Sequence, residues 1–260
     1  MKLRRHNHYV PACYQKGFSD TSGRVWVKFA DSLAPEHRNP KSVGRQHDLY
    51  IITENGIETD RVETFFDAKV ENDFGVLSRK IKQDPQRFSI SRNDVGVLAK
   101  FVASQTVRTI GHKETIEEQA KREVDTNTFV QVMSRKMLTM LEQWVNAPPD
   151  FHFYTSLPHV GDHFITGDQP VVVIIVNDNP IWMPVDIPKM GITDLSLILQ
   201  NPKHAFRVSL SPYVLVSIQG SGGIVHKQES VDPLYVRHFN SLVRDQCKIF
   251  TLAKDKESLQ

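Results

Sequence analysis

A handful of polar side chains interrupt patterns that are otherwise apolar or turn-forming, and each has a chemistry open to it. His8 lies in His6-Asn7-His8-Tyr9-Val10-Pro11, where two imidazoles two residues apart point to one side of an extended chain. Imidazole near neutral pH serves as general base, proton donor or metal ligand. Glu63, Asp67 and Glu71 recur at i, i+4 and i+8, which sets three carboxylates along one edge of a helix. Like charges at that spacing cost a helix roughly 0.2–0.5 kcal/mol per pair, so arginines, water or a cation must offset them. Two readings are open: a solvated acidic face helped by Arg61 and Lys69, or oxygen ligands for Mg2+ or Mn2+. Gln105 falls on a core-facing position with Arg108 beside it, and a buried amide or guanidinium must find partners. Arg108 either pairs with the acidic stripe or grips a phosphate or carboxylate through its planar fork. Asp168 sits in Thr166-Gly167-Asp168-Gln169-Pro170, a strand end running into a turn. Its carboxylate either bonds its own turn or is presented as ligand or base.

These residues hang on elements legible from period. Val62, Phe65, Phe66, Val70, Phe74, Leu77 and Ile81 predict a helix over about 59–83, ended by Asp84-Pro85. Ser91 with Asp94 three residues on marks a helix start, and Val95, Leu98, Phe101, Val102 and Thr109 give that helix, over 91–110, its buried face. A stripe of Phe129, Val132, Met133, Met137, Met140, Leu141, Trp144 and Val145 predicts a third helix over 125–146. Strands are expected at 24–29, 151–155, 163–166, 171–176, 206–210 and 213–218, with one late helix. The chain thus reads as one α+β domain. An N-terminal arm and strand region (1–58) precedes a helical region (59–146), which packs on a mostly antiparallel or mixed sheet formed largely by a strand-rich region (150–252).

Composition bounds the function classes. The 260 residues hold 32 Lys and Arg against 30 Asp and Glu, so no large cationic field announces a nucleic-acid partner, although a local patch fits inside a neutral total. Cys13 and Cys247 are too few for a disulfide framework and lack zinc spacing. No apolar stretch of signal-peptide length follows Met1-Lys2-Leu3-Arg4-Arg5, and the longest apolar run is the six residues Val171–Val176. The expectation is a cytoplasmic protein with no membrane partner. P-loop, GxSxG, HExxH and Rossmann glycine patterns are absent from the sequence.

The polar interruptions sit inside segments that resemble a bacterial family, domain-of-unknown-function family 4238. The opening signature is similar to His8-Tyr9-Val10-Pro11 followed by Tyr14 and Phe18. Leu49-Tyr50, Glu63, Glu71 and the run from Phe101-Val102 through Gln105 to Arg108-Thr109 resemble its middle. Phe164-Ile165-Thr166-Gly167-Asp168-Gln169-Pro170-Val171 resembles a later signature, with Gly167 where that pattern has Ser. Leu210-Ser211-Pro212 and Asn240 resemble its close. The resemblance assigns no activity. It implies that His8, Glu71, Gln105, Arg108 and Asp168 belong together.

Two functions fit such a set. One is a metal-dependent phosphodiester hydrolase, a nuclease acting on DNA or RNA. Glu71 and Asp168 would hold Mg2+ or Mn2+, with Glu63 as a further carboxylate, and His8, Arg108 and Gln105 would form the catalytic set. Effectors of bacterial antiviral defence or toxin systems share this size and charge, by association only. The other is a non-enzymatic binding or scaffold module whose polar residues form a structural ion-pair network.

Overall fold

The helical period read from the sequence produces the helices that carry the polar residues. The computed structural model describes residues 3–146, 149–156, 162–175, 183–184, 198–199, 201, 203–219 and 226–260. The chain opens with strand β1 (His6–His8), the single-turn helix α1 (Ala12–Gln15), β2 (Val25–Phe29), β3 (Glu36–Arg38) and β4 (Arg45–His47). A hairpin comes next, β5 (Ile52–Glu54) and β6 (Ile57–Thr59), turned by Asn55 and Gly56 at φ 50° and 78°, the pair suited to a two-residue turn with positive φ. The helical region holds α2 (Arg61–Phe66), a π turn (Asp67–Glu71), α3 (Asn72–Gln83), α4 (Arg92–Val107), α5 (Ile110–Ala120) and α6 (Thr126–Asn146). After it come β7 (Asp150–Ser156), β8 (Thr166–Gly167), β9 (Val171–Ile175), β10 (Met183–Pro184), β11 (His204–Ser211), β12 (Val214–Gln219), β13 (His226–Val231), α7 (Pro233–Gln246) and β14 (Phe250–Ala253).

The protein is α+β. Its larger sheet runs β10-β9-β11-β12-β7-β13, antiparallel except for the parallel β7–β13 pair. A second sheet, β3-β2-β14-β8, joins the early strands to the last one. Alternation along β9 divides the core: Val173 faces the helices with Phe206, Phe153 and Trp144, whereas Val172 and Ile174 face α7 with Val236 and Phe239. The larger sheet is therefore covered on both faces. Among the described residues no helix is long and apolar enough to cross a membrane.

Several expectations shift in detail. The first helix runs unbroken from Arg61 to Gln83 only through the π turn at Asp67–Glu71. Across that wider turn Glu63 is buried and Asp67 and Glu71 are half-buried, so the three do not form one solvated acidic edge. Phe65 is 45% exposed because Phe66 takes the inward position beside it. The second helix stops at Val107, and Thr109, expected on its buried face, caps α5 instead. Val145 is 78% exposed in the last turn of α6. Residues 163–165 form no strand, because the Phe164 N–H bonds to the Pro212 carbonyl and the Ile165 N–H to the Asn240 side chain. Strands β13 and β14 were not among the strands expected. Val176 lies outside the described residues.

Candidate functional site

Arg108 is the centre of the polar assembly, and its place follows from helix ends. Ser91 and Asp94 form a reciprocal capping box at the start of α4, and Thr109 caps α5 by accepting the His112 N–H at 3.2 Å. Arg108 stands at the junction between the two helices, with its side chain 0% exposed. One guanidinium nitrogen donates to Glu71 Oε1 at 2.9 Å and the other to the His8 carbonyl. The guanidinium lies 4.1 Å from the Phe66 ring centroid and 5.6 Å from that of Tyr50. Tyr50 completes the enclosure by donating its hydroxyl to the Arg108 carbonyl at 2.6 Å. Burial opposes this charge, but the Tyr50 oxygen, Glu71 and Glu63 outweigh it and hold Arg108 more firmly protonated than a free arginine.

Glu63 is the strained member. Burial, with the like charge of Glu71, pushes its carboxyl up to about 7 against the pull of Arg108. Its Oε1 accepts the His8 N–H at 3.5 Å, and Oε2 has no partner among the described residues. His8 itself is half-buried, with Nε2 3.2 Å from the Lys41 carbonyl, and burial lowers its imidazole below the ordinary value.

Those bonds fall on the backbone of one segment, the N-terminal arm, and its neighbours are held the same way. The Arg4 N–H donates to Asp60 at 3.0 Å and its guanidinium to Asp67 at 2.9 Å. Arg5 reaches Asp48 and Glu58. Asn7, wholly buried between outward-facing His6 and His8, donates to the Arg4 carbonyl at 2.8 Å and accepts the Tyr50 N–H at 3.0 Å. Gln105, one turn before Arg108, is 1% exposed, and its amide has no hydrogen-bond partner among the described residues.

Asp168 does a different job. It is 1% exposed, and its Oδ1 accepts the N–H groups of Ile249 at 3.2 Å and Phe250 at 3.1 Å, while Oδ2 accepts that of Lys248 at 3.3 Å. It thereby fixes the turn that feeds β14 into its sheet. Burial raises its carboxyl pKa and these three N–H groups oppose the rise.

The structure thus brings His8, Glu63, Glu71 and Arg108 together, sets Gln105 one turn away on α4, and places Asp168 in a separate network. Among the described residues no three His, Cys, Asp or Glu side chains gather to hold a metal ion. Glu71 already faces a buried guanidinium, and both Asp168 oxygens are engaged by backbone N–H groups. That donor set does not fit Mg2+ or Mn2+, which need several free oxygen ligands. One cleft opens beside Ser19, Lys82, Tyr213 and Lys254 and another beside Lys28, Arg244, Phe250 and Gln260. Neither is lined by any of the six residues singled out.

Residues 6–257 match the family described as a protein of unknown function (DUF4238). The chain belongs to this family. No curated protein and no solved structure matches it. Other residues that carried the likeness to DUF4238 prove to be clamps. Tyr14, fully buried, shares hydrogen bonds of 2.7 Å with Thr166 Oγ1 and the Ser209 carbonyl. Asn240 accepts the Ile165 N–H at 3.0 Å and donates to the His163 carbonyl at 2.8 Å. At Gly167 a Cβ would run into Cys247 Sγ and the Phe250 carbonyl, so this position has no room for a side chain.

One buried polar pair escaped the reading of the sequence. His112 is 0% exposed and Lys136 4%. Burial, with Lys136 nearby, lowers the His112 imidazole to about 3, and burial lowers Lys136 to about 8. Neither side chain has a hydrogen-bond or ion-pair partner among the described residues. Lys136 lies three residues after Met133 and four before Met140, so its place on the apolar stripe of α6 was open to view.

Proposed function

We propose that this DUF4238 chain is a non-enzymatic binding or scaffold module, in which the Arg108 assembly and Asp168 hold the fold together. The observation that carries this reading is the engagement of the two groups any phosphodiester chemistry would most need. Arg108 is wholly buried, with Nη1 and Nη2 bonded to Glu71 and the His8 backbone and its face covered by Phe66. Asp168 has both oxygens on backbone N–H groups. Such networks are costly to break even where they add little net stability. Both cysteines are free thiols, which suits the reducing cytoplasm we assign to it.

A nuclease makes the opposite demand, a cleft that opens on these side chains. The direct experiment incubates the purified protein with plasmid DNA, single-stranded DNA and total RNA, in Mg2+, Mn2+ or EDTA. A binding module leaves every substrate intact at high protein concentration. Cleavage that EDTA stops and that Asp168→Asn abolishes would overturn this reading and restore the metal-dependent nuclease.

A further inference from the structure

A cleft of about 220 Å³ opens where the end of α3 meets the segment after α1 and the turn between β11 and β12. It lies apart from the Arg108 assembly, so its chemistry is independent of the role those residues play. Two ammonium groups line it. Lys82 Nζ donates to the carbonyls of Lys16 at 3.0 Å and Ser19 at 3.1 Å. Lys254 Nζ donates to the Tyr213 hydroxyl and lies 4.9 Å from the centroid of that ring. Neither lysine makes an ion pair among the described residues.

One carboxylate, Asp20, also lines the cleft, but its oxygens are engaged. Oδ1 accepts the Ser22 N–H at 2.8 Å, the Ser22 hydroxyl at 2.7 Å and the Arg24 N–H at 3.2 Å, and Oδ2 meets His37 Nε2 at 2.8 Å. Burial together with Lys254 depresses the ammonium pKa of Lys82, against the pull of the ionised Asp20. The fourth feature is Ser19. It is among the residues that line the cleft and is 7% exposed, and its buried hydroxyl has no hydrogen-bond partner among the described residues. A buried hydroxyl in a native fold is almost always paired.

We propose that this cleft binds a phosphate monoester, held by Lys82 and Lys254 with the hydroxyls of Ser19 and Tyr213 donating to its oxygens. Four residues with donor side chains line the cavity. A dianion with three terminal oxygens matches two ammoniums and two hydroxyls, where a carboxylate offers one charge and two oxygens. The volume is below the 300 Å³ or so at which pockets for drug-sized ligands begin, so the ester is small.

The test is calorimetry on the full chain at low ionic strength with inorganic phosphate, phenyl phosphate and acetate as probes, paired with thermal melts. Phosphate and phenyl phosphate should bind and raise Tm, and acetate should do neither. Lys254→Met should weaken phosphate roughly tenfold or more, the loss of a charge-assisted hydrogen bond. Ser19→Ala should weaken it several-fold while leaving both lysines in place. No heat and no rise in Tm at millimolar phosphate would overturn the proposal. So would acetate binding as well as phosphate, or unchanged affinity in both variants while each melts like the wild type.

Discussion

Replacing Arg108 by Met separates a structural assembly from an idle one. The variant removes an ionic hydrogen bond of 2.9 Å to Glu71, the bond to the His8 carbonyl and the guanidinium stacked 4.1 Å from Phe66. It leaves Glu71, whose side chain is 16% exposed, and the 9% exposed Glu63 facing each other without their cation. Orphaning a buried charge costs about 3–5 kcal/mol, and the partial exposure of Glu71 places this case at the lower end, about 3 kcal/mol. For a chain of this length that is roughly 6–12 °C in Tm. Circular-dichroism melts at neutral pH measure it, and limited proteolysis should find the arm around His8 newly cleavable. Arg108→Met combined with Glu71→Leu should recover at least half of the loss, because no orphaned carboxylate remains at that position. A single variant that melts within about 1 kcal/mol of the wild type, with its arm still protected, would refute the structural role.

Glu63→Gln should raise stability at pH 8 and flatten its pH dependence. The folded state holds the Glu63 proton up to about 7 against an ordinary 4.5, so it binds more protons than the unfolded chain between those values, and wild-type stability falls there as pH rises, by about 3 kcal/mol in all. Lys136→Met should stabilise the protein by about 1–3 kcal/mol in urea melts at pH 7. With its folded pKa at about 8 against 10.5, Lys136 makes wild-type stability climb between those pH values, a rise the Met variant should lack. Gly167→Ser should destabilise the protein or prevent folding, since its Cβ meets Cys247 Sγ and the Phe250 carbonyl, and Cys247→Ala should rescue it only in part because the carbonyl remains.

Much of the fold was legible because local rules decided it. The capping box at Ser91 and the apolar stripes of the long helices set helix positions to within a few residues. What the sequence hid was long-range. The π turn at Asp67–Glu71 carries no local signal, and across it Glu63 and Glu71 both face Arg108 while Asp67 pairs with Arg4. Residues 163–165 read as a strand, yet their hydrogen bonds go to Pro212 and Asn240, partners no local pattern reveals. For the site, spacing identified Arg108 and an acidic partner, and Glu71 is that partner. The convergence expected for Asp168 rested on its interrupting a turn. That signal marks a polar group needing partners but cannot tell backbone N–H groups from a ligand. The cleft at Ser19, Lys82, Tyr213 and Lys254 joins residues far apart in the chain and has no motif at all.

The measurement that bears most directly on the structural role of these residues is a set of thermal melts of wild type and Asp168→Asn, each with and without Mn2+. Asn keeps the shape of Asp168 but points an NH2 group at a backbone N–H where Oδ2 accepted Lys248. Because the partners are neutral N–H groups rather than a charge, the loss is about 2 kcal/mol, or roughly 4–8 °C. A structural role predicts that drop in metal-free buffer and no response of either protein to Mn2+. A wild-type Tm raised by Mn2+, together with an Asp168→Asn protein that melts normally without metal and ignores it, would contradict that role and make Asp168 a ligand.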